Sequence, residues 1–347
     1  MKIACIQMKV QKENDANLRA ACGFVRQAAR QGADFVILPE MFCCPYETAN
    51  FPVYAQPEGG ENWQTLSDCA RENQVYLAAG SMPECSPPEC EAGRHLRESS
   101  TGGRESADIA SEYCTGNSSE YYADNPPEYH ADNASEGMQK ETLKEALKET
   151  LLVYNTSYIF NRQGEQIAKH RKMHLFDIDI RGGQRFFESE TLTAGSQVTV
   201  FDTEFGRMGL MICFDIRFPE LARLMALNGA RAILVPAAFN MTTGPAHWEL
   251  AFRSRAVDNQ VFMVGCSPAR DMESSYHAYG NSLVVSPWGD IRARLDERES
   301  ILFCDIDLNE TGTIREQLPL LRARRTDVYR LDESIKCMKG RDSCSGA

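Results

Sequence analysis

Gly209-Leu210-Met211-Ile212-Cys213-Phe214-Asp215-Ile216-Arg217-Phe218-Pro219-Glu220 is the stretch on which the fold turns. Its apolar run reads as a buried strand ending at Cys213, and Arg217 to Leu224 has helical spacing, so the thiol is placed on a strand-to-helix turn. Such a turn lifts a side chain out of the sheet. It also sets the side chain beside backbone N–H groups at a helix N-terminus, which favour a thiolate and can stabilise an oxyanion. The competing reading is an inert core thiol, and the stretch alone leaves the two about even.

Outward from this turn the chain alternates between strand and helix. Towards the C-terminus the pattern predicts a helix over Pro219 to Asn228, a strand over Ala232 to Pro236, a helix over Ala246 to Asn259 and a strand over Val261 to Gly265. A hairpin around Pro287-Trp288-Gly289-Asp290 and a strand over Ile301 to Ile306 follow. Towards the N-terminus, a strand over Ile3 to Met8, an amphipathic helix over Asn14 to Gln31 and a short strand over Ala33 to Glu40 make a β-α-β unit. A helix over Trp63 to Asn73 and a strand over Val75 to Gly80 repeat it. A strand over Leu151 to Phe160 then turns at Asn161 to Gly164 and pairs back through His170. A sheet covered by helices is the natural α/β architecture for this order.

The texture changes between Cys85 and Lys148, where aliphatic residues nearly vanish and thirteen acidic residues face six basic ones. Such a stretch cannot bury enough apolar area to offset chain entropy and reads as a disordered acidic insertion, with a helix only at its end, over Met138 to Leu152. Cys85 and Cys90 have no second ligand pair at zinc-binding spacing and read as incidental. The organisation is therefore one domain made of residues 1–84 and 149–318, an insertion over 85–148 and a tail over 319–347.

Composition bounds the partners. The 347 residues are 43% hydrophobic and 25% charged, as in an ordinary globular protein, and the net charge of −12 disfavours nucleic acid or an anionic membrane. No apolar run reaches 18 residues, and the first strand is too soon interrupted by Lys9, Gln11 and Lys12 to be a signal peptide. The thirteen cysteines form no evident framework, which suggests free thiols and a cytoplasmic, reducing compartment.

Three polar or reactive residues end apolar runs: Glu40 in Leu38-Pro39-Glu40, Lys172 in Lys169-His170-Arg171-Lys172-Met173-His174-Leu175-Phe176, and Cys213. Brought together they could attack a carbonyl, with Glu40 taking the thiol proton, Cys213 adding to the carbon and Lys172 stabilising the oxyanion. Taken singly, each has a bland reading as a surface carboxylate, a solvated cation or a core thiol.

Together these motifs resemble those of the nitrilase superfamily of carbon–nitrogen hydrolases, which end in the same Glu, Lys and Cys in the same order. The resemblance covers essentially the whole chain outside the insertion. It implies a four-layer α-β-β-α sandwich that forms a homodimer, and a second glutamate between the Lys and Cys motifs. Glu188 in Phe186-Phe187-Glu188-Ser189-Glu190 matches that position, with Glu190 as the alternative. The stretches Glu40 to Tyr46, His174 to Asp179, Phe239 to Leu250 and Arg253 to Gln260 are similar to the Nit2-type ω-amidase branch.

That likeness implies hydrolysis of the terminal amide of α-keto-acid amides, such as α-ketoglutaramate and α-ketosuccinamate, through a cysteine thioester. No metal or organic cofactor is needed. The substrate's far carboxylate wants a cation or a hydroxyl, and Arg217, Tyr46 and Thr243 lie in or beside the motifs; the bland reading of Arg217 is pairing with Asp215 or Glu220. A related branch acting on deaminated glutathione, an N-carbamoyl compound or a nitrile shares the same catalytic set, and a non-catalytic scaffold recognised through the acidic insertion is the reading from a different class. His174 and His247 invite a Cys–His pairing instead; the resemblance makes them scaffold residues.

Overall fold

The computed structural model describes residues 1–86, 151–181 and 185–333. Two twisted sheets stack face to face. In the first, β15 (Ser300–Asp305), β1 (Lys2–Gln7), β2 (Phe35–Ile37) and β3 (Tyr76–Ala78) lie side by side, followed by the long β5 (Leu152–Phe160). β5 pairs with β3 and β4 (Met82–Ser86) along one edge and with β6 (Gln166–Arg171) along the other. The second sheet runs β14 (Ile291–Arg294), β13 (Leu283–Val285), β12 (Phe262–Cys266), β11 (Ala232–Pro236), β10 (Gly206–Leu210) and β9 (Val200–Thr203).

Both sheets have parallel centres whose crossovers are helices. α1 (Asn14–Arg30) and α3 (Glu61–Asn73) cover the outside of the first sheet, and α4 (Pro219–Leu227) and α5 (Gly244–Asn259) cover the outside of the second. The strands read as unbroken apolar runs because each face of each sheet is covered. Ile3, Cys5, Phe35 and Ile37 meet Leu210, Leu234, Phe262 and Val264 between the sheets. Their sequence neighbours Ala4, Ile6, Val36 and Leu38 point the other way, into α1 and α3. On the far side, Ile233, Val235 and Met263 pack on Leu221, Met225, Trp248 and Phe252. The four-layer α-β-β-α sandwich is thus formed. A short α2 (Phe51–Tyr54), a closing α6 (Glu310–Gln317) and a small ribbon of β7 (Asp177–Asp179) and β8 (Arg185–Phe187) complete the elements.

Several boundaries differ from the sequence expectation. β4 continues through Cys85 and Ser86, which pair with Val153 and Leu152, so ordered chain runs two residues into the acidic stretch. Leu152 opens β5 and Leu151 is not helical, while the expected helix from Met138 to Thr150, Cys90, most of the insertion and residues 334–347 lie outside the described residues. The run ending at Cys213 leaves the ladder at Leu210. Cys213–Arg217 then form a 3-10 turn, and α4 begins only at Pro219, because a residue before proline is pushed out of the helical region.

The strand read as Ala33 to Glu40 pairs only over Phe35–Ile37 before turning away, with Met41 at φ +49°. Gly80, at φ +57°, accepts that turn: a Cβ there would collide with the Pro39 carbonyl oxygen.

Candidate active site

Glu40 follows β2, Lys172 follows β6 and Cys213 follows β10, so all three sit where strands run out at one end of the sandwich, the usual place for a ligand in α/β sheets. Each is fixed by backbone contacts. Leu38 N–H donates to the Ala78 carbonyl (3.0 Å), Ser81 N–H to the Pro39 carbonyl (3.2 Å) and Met41 N–H to Ser81 Oγ (3.1 Å), which pins Glu40. Lys172 extends the β6 ladder, donating from its N–H to the Asn155 carbonyl (2.8 Å) and accepting from Gly195 N–H (2.8 Å). Cys213 takes φ +45°, a conformation that costs a non-glycine residue about 1–3 kcal/mol and that aims the thiol away from its own turn. Glu188 lies in a 3-10 turn, Glu188–Glu190, just after β8, and is fully buried, whereas Glu190 is exposed.

These four side chains meet. Lys172 Nζ donates to Glu40 Oε1 and Glu188 Oε1, both at 2.9 Å, with all three groups out of contact with solvent. Glu40 Oε1 also accepts from Asn155 Nδ2 (2.9 Å), and Glu40 Oε2 accepts from Ala238 N–H (2.8 Å). Glu188 Oε2 accepts from Phe176 N–H (2.7 Å) and its Oε1 accepts from the Tyr46 hydroxyl (2.7 Å). The Cys213 thiol, 4% exposed, is buried within the electrostatic reach of the Glu40 carboxylate and the Lys172 ammonium.

The electrostatics follow from two carboxylates sharing one ammonium in a dry site. Burial raises the Glu40 pKa; Lys172 pulls it back, Glu188 adds to the rise, and the net direction is up. Burial would lower the Lys172 pKa, but the facing carboxylates of Glu188 and Glu40 outweigh it and keep the ammonium charged. Burial and the Glu40 carboxylate push the Cys213 thiol well above its ordinary value, against the opposing pull of Lys172. The turn's N–H groups therefore do not make a resting thiolate, contrary to the sequence expectation: the thiol keeps its proton, with a carboxylate of raised basicity beside it.

The three candidate substrate contacts separate. Tyr46 is buried against Tyr276 and Phe186 (ring centroids 4.6 and 5.5 Å), and its hydroxyl proton is spent on Glu188, so it braces the carboxylates. It also borders a small pocket with Glu40, Ala238, Ser274 and Tyr276. Thr243 turns its hydroxyl to Asn240 Oδ1 (3.0 Å) in the bend that starts α5 and makes no hydrogen bond to the four central residues. Arg217 stays near the centre. Its guanidinium lies over Phe239 (4.7 Å) and Phe214 (5.6 Å), and Nη1 donates to His247 Nδ1 (3.1 Å). Its buried Nε has no partner, and among the described residues it faces no carboxylate. Pairing with Asp215 does not occur, because Asp215 is taken up by His170 and His174.

Neither histidine considered as a thiol partner takes that role: His174 stacks on Phe218 and binds Asp215, and His247 is exposed on Arg217. Asn155, Gly80 and Tyr276 went unread in the sequence. Asn155 lies inside β5, where it reads as one more strand residue; Tyr276 sits in an irregular polar stretch; and Gly80 shows its necessity only once Pro39 is packed on it.

The sequence pattern of the family described as carbon-nitrogen hydrolase matches residues 2–99 and 137–316, breaking off inside the acidic stretch. The chain is 39% identical over 331 residues to the omega-amidase NIT2 of Bos taurus, covering 95% of this chain and 97% of that protein. It is 39% identical over 335 residues to nitrilase homolog 2 of Dictyostelium discoideum, covering 96% and 83%. Among solved structures it is similar to Saccharomyces cerevisiae Nit3, described as a member of branch 10 of the nitrilase superfamily, with a TM-score of 0.70, 35% identity and coverage of 94% and 96%.

Proposed function

Since the chain belongs to the carbon-nitrogen hydrolase family, we propose that it is an ω-amidase, hydrolysing the terminal amide of α-keto-acid amides such as α-ketoglutaramate and α-ketosuccinamate to the dicarboxylate and ammonia. The observation that carries this choice within the family is Arg217. A half-buried guanidinium beside Cys213, stacked on two rings and lacking a carboxylate, fits a substrate that brings one. A simple nitrile or neutral amide would leave that charge unanswered.

The mechanism follows from the cluster. Glu40 takes the Cys213 proton as sulfur adds to the amide carbon, and Lys172 holds the developing oxyanion together with the unpaired N–H groups that open the Cys213–Arg217 turn. Collapse breaks the carbon–nitrogen bond, the proton on Glu40 goes to departing ammonia, and a thioester remains. Glu40, ionised again, draws a proton from water; hydroxide adds to the thioester and the thiol leaves, recovering its proton from Glu40. Glu188 never meets the substrate carbon in this scheme. It keeps Lys172 charged and aimed.

The homodimer belongs to the same reading. Leu250 and Val257 stand on one exposed face of α5, and Trp288 is exposed on the loop whose Gly289 carbonyl accepts from Arg253 of that helix, an apolar surface suited to a second copy of this chain. Residues 100–136, which the family pattern omits, are read as an addition that the fold does not need. The cytosol is read from the thirteen cysteines without a disulfide framework. Among the described residues no helix is long and apolar enough to cross a membrane.

The deciding experiment is release of the leaving nitrogen group by the purified protein: ammonia from α-ketoglutaramate, α-ketosuccinamate, an N-carbamoyl amino acid and a simple nitrile, and the dipeptide amine from deaminated glutathione. Release from the keto-acid amides that disappears in Cys213→Ala is the expected result. Release only from one of the other three moves the chain to another branch.

A further inference from the structure

Asp215 lies fully buried two residues beyond Cys213, and all of its hydrogen bonds go to the segment that carries Lys172 or to its own turn. Oδ1 accepts from the His174 backbone N–H (2.9 Å) and from His174 Nδ1 (2.8 Å). Oδ2 accepts from His170 Nε2 (3.0 Å) and from the backbone N–H of Ile212 (3.1 Å), the residue just before the nucleophile. A carboxylate offers about four acceptor positions, and here all four are filled. Burial would raise the Asp215 pKa, but the two histidines and the Ile212 N–H outweigh it and hold the group ionised.

The spacing of the partners is the informative part. β6 ends at Arg171 and the chain bends at Met173 and His174, so of the two histidines that grip Asp215 one stands two residues before Lys172 and the other two residues after it. His170 is held from behind, its Nδ1 2.9 Å from Thr199 Oγ1. The His174 ring also stacks on Phe218, 3.7 Å between centroids and 11° from parallel, which ties down the far end of the turn.

From this arrangement we propose that Asp215 is a positioning residue that clamps the turn carrying Cys213 to the strand end carrying Lys172, and so sets the separation of nucleophile and oxyanion-binding ammonium. The inference rests on the roles given above to Cys213 and Lys172. Those two residues come from different sheets, and no bond between them fixes their distance directly. A reacting geometry tolerates errors of about half an ångström, and a displacement of about 1 Å costs on the order of a hundredfold in rate. A saturated carboxylate bound to both parts resists such a slip, and it also holds the strained φ of Cys213 in place.

The test is a double-mutant cycle between Asp215→Asn and Lys172→Met, read as kcat and KM per folded molecule, with folding checked by circular dichroism. In Asp215→Asn the amide NH2 must face N–H donors on one side, so one grip is lost at unchanged size. The expected result is a fall in kcat of at least tenfold with KM changed less than about threefold, and less than a twofold further fall when the same change is made in Lys172→Met. A purely structural Asp215 would lower the melting temperature and cost the same factor in both backgrounds; that outcome, or a kcat within twofold of wild type, overturns the inference. Should Asp215→Asn fail to fold, His174→Phe keeps the ring on Phe218, removes the Nδ1 donor and is judged by the same cycle. Turnover surviving in Cys213→Ala would overturn the site reading and this inference with it, whereas an inactive Cys213→Ala beside a fully active Asp215→Asn overturns this inference alone.

Discussion

The run from Lys169 to Lys172 feeds two charged clusters of opposite character. Lys169 and Arg171 point to one face, where they surround Glu84; His170 and Lys172 point to the other, where Lys172 meets Glu40 and Glu188. Around Glu84 two cations, Lys169 and Arg171, and the Thr156 hydroxyl bind a single buried carboxylate, Lys169 also pairs with the exposed Glu58 (2.8 Å), and the cations reach solvent. Burial would raise its pKa, but Arg171, Lys169 and Thr156 overcome that and bring it below the ordinary value. Around Lys172 the ratio is inverted, two carboxylates to one cation with no solvent, and the Glu40 pKa goes up. The same residue types therefore give a structural ion pair on one face and a proton acceptor on the other. The charge ratio and the access of water decide which.

Glu40→Gln tests this contrast hardest. Removing the base is expected to lower kcat by about 10³ to 10⁴, at the upper end of what proton transfer contributes. Glu84→Gln should leave kcat within a factor of two, and so should His247→Ala. A Glu40→Gln enzyme with near-normal ammonia release, or a His247→Ala enzyme without any, would end the Glu-based mechanism. Next in size is Lys172→Met, for which a loss of about 10² to 10³ in kcat is expected from the missing oxyanion donor. Because two carboxylates are then left facing each other, the melting temperature should fall as well. Lys169→Met on the other face should change neither kcat nor KM appreciably.

Arg217→Met sharpens the comparison at the substrate's end. A charge-assisted contact to a carboxylate contributes about 1.5–3 kcal/mol, so kcat/KM for α-ketoglutaramate should drop roughly tenfold to a hundredfold, mainly through KM. Turnover of a neutral amide should be spared. Equal losses on both substrates would return Arg217 to a structural role on Phe214 and Phe239.

How much of this was legible in the chain depended on whether each residue sat in a pattern. Glu40, Lys172 and Cys213 stand out because each follows an apolar strand, and strand ends at one edge of a sandwich converge. Glu188 sits among charged residues after a three-residue strand and was visible only through resemblance. The helices over Asn14–Arg30 and Pro219–Leu227 carried the 3.6-residue period and were read almost to the residue. Met82-Pro83-Glu84-Cys85-Ser86 was not read as a strand, since a proline and a buried glutamate inside five residues look like a loop. As an edge strand it tolerates the proline, and the glutamate is neutralised by cations that only the fold brings near. The sequence offers Asp215 as a local partner for Arg217; its histidine partners lie 41 and 45 residues back, a separation that no local pattern encodes.

The smallest expected effect concerns pH, and the two faces should answer with opposite sign. Glu84 is held below the ordinary glutamate value of 4.5, so its contribution to stability is complete above that value and is lost as pH falls through the lower folded value. Glu40 is held above 4.5, so its contribution is complete below that value and is lost as pH rises through the higher folded value. At pH 7 wild type should therefore melt a few degrees above Glu84→Gln, in keeping with about 1–3 kcal/mol for a carboxylate held by charged donors, and the gap should hold down to pH 4.5 and narrow only as acidification below it approaches the lower folded value. Glu40→Gln should instead gain on wild type as pH rises from 4 to 8, because glutamine resembles the protonated form that the site prefers. Thermal melts of the three proteins from pH 8 down to well below 4.5 decide it. If both differences move the same way with pH, the charge ratio around each carboxylate is not what separates the structural cluster from the reactive one.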